Sequence, residues 1–209
     1  MMPIYEIVYL VLIGAGFLVG VIRWKKMAKS SRWAVLLLAA TLISEIFASY
    51  WAKHYRNNLW VFHCLSPVQF VLITYCFWEE LKLKIQKISI YVVPVLFIGI
   101  STFIQSGQFP SYPITISFVF FVAWSLFYFR ALLLKASDDS VLAYPLFWIS
   151  CGWLQFCVVN LFPFGLFNSF FQDNINELNA IFRNIRIGSN LVLYSCYLVA
   201  VLSPQKRLQ

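Results

Sequence analysis

Asn179, Arg183, Arg186, Asn190, Tyr194 and Tyr197 follow one another at steps of four, three, four, four and three near the C-terminus. On a helix turning about 100° per residue, they share an arc of roughly 80° and form one polar stripe. Guanidinium groups present rigid forks of donors that match carboxylates and phosphates, so the chemistry offered is capture of an anion. The stripe lies in an otherwise apolar stretch, where an isolated charge costs roughly 2.5–3.5 kcal/mol. Two further charges sit in such stretches, Glu6 and Glu45. The expected pairing is Glu45 with Arg183 or Arg186 through a bidentate bond. Two arginines against one acid leave a positive charge for Glu6 or a bound anion to offset.

Glu45, His63, Asn160, Arg183, Arg186, Asn190 and Tyr194 are therefore the candidate ligand-binding residues. Asn160 and Asn190, with Gln69, Gln155 and Asn184, compete for a plainer role as interhelical hydrogen bonds, worth about 0.6 kcal/mol each on average. His63 is as readily a hydrogen-bonded core histidine. No residue is assigned a catalytic role, and Ser66 beside Pro67 is only a weak candidate nucleophile. Two histidines do not make a three-histidine zinc site, and the five cysteines lack metal-type spacing, so neither metal nor cofactor is expected. The last long apolar stretch has no lysine for a retinal Schiff base.

The elements that must position these groups are membrane helices. The 209-residue chain is 61% hydrophobic and 11% charged, with 21 Phe. A soluble domain is about 45–50% apolar and about 25% charged. Seven stretches reach the roughly 17–25 apolar residues of a span: 4–22, 33–51, 59–78, 88–104, 114–134, 145–164 and 179–202. The expected fold is all-α, a single polytopic seven-transmembrane-helix bundle over residues 1–209. No basic leader or A-x-A site accompanies MMPIYEIVYL, so the first span is read as retained. Gly16 and Gly20 in the first span have the spacing of a close helix contact. Pro67 should kink the third span and free a carbonyl near His63.

The first, third and fifth connections, Arg130 near the end of the fifth stretch and the tail carry twelve Lys or Arg; the other side carries only Lys53 and Arg56. This predicts an N-terminus outside and a C-terminus in the cytoplasm. The formal net charge of +8 is then a topology signal with attraction to anionic lipid, not a nucleic-acid footprint. At about 1.5 Å per residue, Glu45 lies about 9 Å inside its span, His63 and Asn160 about 6 Å, and the two arginines about 6–10 Å. All five fall in one layer of the outer half.

NNLWVFHCLSPVQF, residues 57–70, resembles a signature of small seven-helix membrane proteins common in Bacteroidota. Ser44-Glu45, PLFWIS at 145–150 and the segment from Asn190 to Tyr197 are similar to further landmarks of that family. The chain departs from the pattern at Gln69, where the family has an acid, so the resemblance carries no proton relay to that position. It implies an inner-membrane, multi-pass protein in a signalling context. The expected function is a sensor-like or small-ligand-binding component, with lipid bilayer, a small anionic ligand and a cytoplasmic-face signalling protein as partners. The alternatives are an intramembrane lipid-modifying enzyme and a small-solute transporter; for the latter, no internal repeat is evident.

Overall fold

The computed structural model describes residues 4–55, 58–135, 140–165 and 176–208, without the side chains of 4–6, 55 and 176–180. Seven α-helices make up the described chain, with no strand among them: α1 (Ile4–Arg23), α2 (Lys29–Tyr55), α3 (Leu59–Leu81), α4 (Lys84–Phe103), α5 (Ser111–Lys135), α6 (Pro145–Gly165) and α7 (Asn176–Leu202). Each contains a stretch long and apolar enough to cross a membrane. Their outward faces carry bare apolar side chains, such as Ile22 on α1, Val95 on α4 and Leu133 on α5. Apolar exposure on this scale marks a surface made for something other than water, and suggests a multi-pass membrane protein.

Six helices form a ring in the order α1, α2, α3, α5, α6, α7, and α7 closes it against α1. α4 stands outside, against α3 with a slight contact to α5. Its inward stripe of Gln86, Ser89, Ile90, Val93 and Phe97 has helical spacing, while Ile85, Ile88, Val92 and Val95 face out. Phe70 on α3 is fully buried where Phe97 of α4 and Phe121 of α5 meet it, at centroid distances of 5.5 and 5.8 Å.

The expected glycine contact is formed. A methyl group on Gly16 would lie 3.1 Å from Leu38 Cδ1, and one on Gly20 would overlap both methyls of Val35, so α1 and α2 meet closely. Gly152 does the same for α6 and α7, where a Cβ would lie 3.0 Å from Cys196 Cβ. α3 runs unbroken through Pro67. The carbonyl that the proline leaves without its helical donor, that of His63, is approached by the Ser66 hydroxyl at a long 3.5 Å. α2 reaches four residues further at each end than its apolar stretch. The hydrogen-bond ladder continues into polar flanks, and polarity alone does not mark where it stops.

At the α1–α2 end the residues after α7 fold back over the ring. Glu80 accepts from Ser30 Oγ at 2.8 Å and from the Leu208 backbone N–H at 3.1 Å, and Leu208 is buried. Arg23 Nη1 donates to the Val201 carbonyl at 2.6 Å. All five cysteines are free thiols, with Cys76 and Cys157 buried in the core.

Close packing at Gly20 predicts that Gly20→Ala destabilises the bundle by about 1–3 kcal/mol. Gly14, where an added methyl meets nothing within 4 Å, should tolerate alanine with no loss. Thermal melts of the two variants in the same detergent decide this; equal stability would mean that α1 and α2 do not approach as described.

Candidate functional site

A cavity of about 480 Å³ opens inside the ring, in the half of the bundle that carries the α2–α3, α4–α5 and α6–α7 connections. Its two sides differ in chemistry. The α1–α2–α7 side presents Tyr9, Thr41, Glu45 and Ser49, and across from α2 the stripe of Arg183, Arg186, Asn190 and Tyr194. The α3–α5–α6 side is apolar except for Gln69. It is built on a ladder of phenylalanines in contact, Phe62–Phe109–Phe164–Phe118–Phe156, with ring centroids 5.5–5.7 Å apart.

Five of the seven candidate residues line this cavity: Glu45, Arg183, Arg186, Asn190 and Tyr194. The stripe on α7 is therefore real on these positions; the side chain of Asn179, like that of Glu6, lies outside the described residues. The expected Glu45–arginine bond is not formed. Glu45 Oε1 instead accepts from the Tyr9 hydroxyl at 2.7 Å. Lys82 pairs with Glu79, at 2.9 Å, remote in sequence from the cavity's lining. The physical reason lies in the close seam between α1 and α2. It brings the phenol of Tyr9 onto α2, while α7 stands across the cavity. Tyr9 in turn packs edge-on against Tyr194, at a centroid distance of 5.3 Å.

His63 and Asn160 do not line the cavity. His63 Nε2 donates to the Gln108 carbonyl at 2.9 Å, which requires the proton on that nitrogen, since a carbonyl can only accept. This bond ties α3 to the α4–α5 connection one residue before Phe109, a rung of the apolar ladder. Gln105 holds the same connection from its other side, donating to Ser111 Oγ at 2.9 Å and accepting from the Tyr112 N–H at 3.2 Å. His63 is thus a positioning residue for the wall. Asn160 joins α6 to α7: its amide nitrogen lies 2.6 Å from Ser189 Oγ and 2.8 Å from the Phe156 carbonyl. Ser66 spends its hydroxyl on the His63 carbonyl, so the histidine ring and that serine form no nucleophile–base pair.

Tyr9, Thr41, Ser49 and Gln69 line the cavity beyond the candidate set. Thr41 and Ser49 share the small, polar face of α2 with Glu45 and were recoverable from that register. Tyr9 carries no such mark, since a tyrosine near the start of a span reads as an interfacial anchor. No family model, no curated protein and no solved structure matches the chain.

The anchoring role predicts that His63→Ala raises hydrogen exchange over residues 104–110 and leaves exchange along α2 and α7 unchanged. Loss of protection on α7 instead would put the histidine in the cavity wall.

Proposed function

We propose that the chain is a multi-pass protein of a cell's inner membrane that binds a small anionic ligand in this cavity and passes its occupancy to a protein partner. The observation that carries the reading is the unbalanced pair of arginines. Arg183 and Arg186 face a common cavity, and among the described residues no carboxylate lies within ion-pairing distance of either. Two guanidinium groups on a half-open, largely apolar cavity, Arg183 exposed and Arg186 half-buried, favour an anion that brings acceptor oxygens to both. The seven apolar helices support the membrane setting. The excess of Lys and Arg on the α1–α2 side supports a cytoplasmic face there, with the cavity in the outer half. The resemblance of residues 57–70 to the Bacteroidota seven-helix signature adds the signalling context.

A ligand here touches α2, α7 and the α4–α5 connection at once. Drawing the arginines inward would shift α7 against α1 and α6, and the basic connections at the other end would carry that shift to a partner.

Orientation has a direct test. In a background lacking the five native cysteines, an impermeant maleimide should label Gln108→Cys in intact cells and Lys26→Cys only after the membrane is opened; the reverse pattern would invert the topology. For binding, small molecules extracted from purified wild type should include a species absent from Glu45→Ala and Arg183→Ala when analysed by mass spectrometry. Identical bulk lipid in all three would make the polar wall architectural.

A further inference from the structure

The chemistry of the two cavity sides narrows the ligand. Among the described residues the polar side carries two guanidinium groups and one carboxylate, so those lining charges sum to one positive. A monoanion balances that sum, whereas a dianion leaves a charge uncompensated within reach of Glu45. The opposite side offers no partner to a polar group along most of its area. Phe62, Phe109, Phe118, Phe156 and Phe164 line it, the last four buried and showing the cavity only a small part of each ring. A small hydrophilic anion held by the arginines would leave this surface facing empty space or unbonded water, which an apolar wall does not hold well. At about 30 Å³ for a water-sized group, 480 Å³ accommodates on the order of 16 such groups. That is the size of a charged head with a chain of about ten carbons held within the cavity.

We infer that the cavity takes a single-chain amphiphilic monoanion, an acyl carboxylate of medium length, with its head at Arg183 and Arg186 and its chain along the phenylalanine ladder. This rests on the reading of the cavity as an anion site and adds the apolar half of the ligand. Thr41, Gln69, Leu193 and Tyr194 are the lining residues nearest the bundle centre, and the chain runs from α7 towards the phenylalanines of α5 and α6. His63 acquires a role in selectivity through this geometry. By fixing Gln108 it fixes Phe109, and with it the width of the chain's slot.

The test uses the whole protein in lipid nanodiscs with a ten-carbon carboxylate carrying a terminal diazirine. The expected crosslinks fall on peptides containing Phe118, Phe156 or Phe164. Competition by unlabelled carboxylates should strengthen about fourfold per added methylene, referred to free aqueous concentration, and then fall once the chain outgrows the cavity, between about twelve and sixteen carbons. Partition into bilayer has no such limit, so competition that keeps rising to sixteen carbons, with label on outward residues such as Leu133, would overturn the inference. Butyrate competing as well as decanoate would overturn it too, while leaving the anion site standing. In Arg183→Gln/Arg186→Gln, which removes charge but keeps polar side chains, labelling should drop at least tenfold with an unchanged melting temperature. Unchanged labelling there, with decanol competing as well as decanoate, would remove the anion site and this inference together.

Discussion

Helix α7 is gripped along two seams at once, by α1 on one side and by α6 on the other, and the ring exists only because both seams close. On the α6 side, the absence of a side chain at Gly152 lets Leu193 and Cys196 approach, and Trp153 Nε1 donates to the Tyr197 hydroxyl at 2.6 Å. Asn160 adds its contact to Ser189 further along the same seam. On the α1 side, Tyr9 meets Tyr194 and Arg23 reaches the Val201 carbonyl. Six helices around a common axis leave a space that side chains of ordinary size do not fill, and the cavity occupies part of it. The seventh helix, α4, is excluded from the ring and braces α3 through Phe97 and Phe70.

The division of the cavity into a polar and an apolar side follows from which helices carry which residues. Glu45 on α2 and the two arginines on α7 are the charges that line the cavity, and these helices face one another through it, with Tyr9 of α1 between. Burying such groups is costly unless they are paired or wetted. Glu45 meets that requirement in part through a phenol, a neutral partner that holds the carboxylate without cancelling its charge. The arginines have no carboxylate within ion-pairing distance among the described residues. α3, α5 and α6 contribute large aromatic rings, whose edge-to-face contacts make a stiff wall.

Much of this was legible in the sequence because helical periodicity is a property of one element at a time. The stripe from Arg183 to Tyr194 repeats every three or four residues, so its shared face needs no knowledge of neighbours. Gly16 and Gly20 likewise announced a close contact of their own helix. What the sequence could not fix was which groups meet across helices. Glu45 is nearer to Tyr9 than to either arginine because the glycine seam sets the α1–α2 distance, and that distance is invisible in either helix alone. His63 looked like a member of the polar layer because it is polar and lies at the right depth. Its partner is a backbone carbonyl 45 residues away in a connection, and backbone groups leave no compositional trace.

The connectivity of the ring also says something about the order in which it can be built. Its neighbours α2 and α3, or α5 and α6, follow directly in the chain and can pair as soon as both are made. The seam between α1 and α7 joins the two ends of the sequence, as the bond from Arg23 to the carbonyl of Val201 illustrates, spanning 178 residues. Contacts of such separation form last, after the entropy of the intervening chain has been lost. Until α7 docks, α6 exposes Gly152 and a polar asparagine, Asn160, with no partner on α7. The ring, and the cavity inside it, is complete only once α7 stands between α1 and α6.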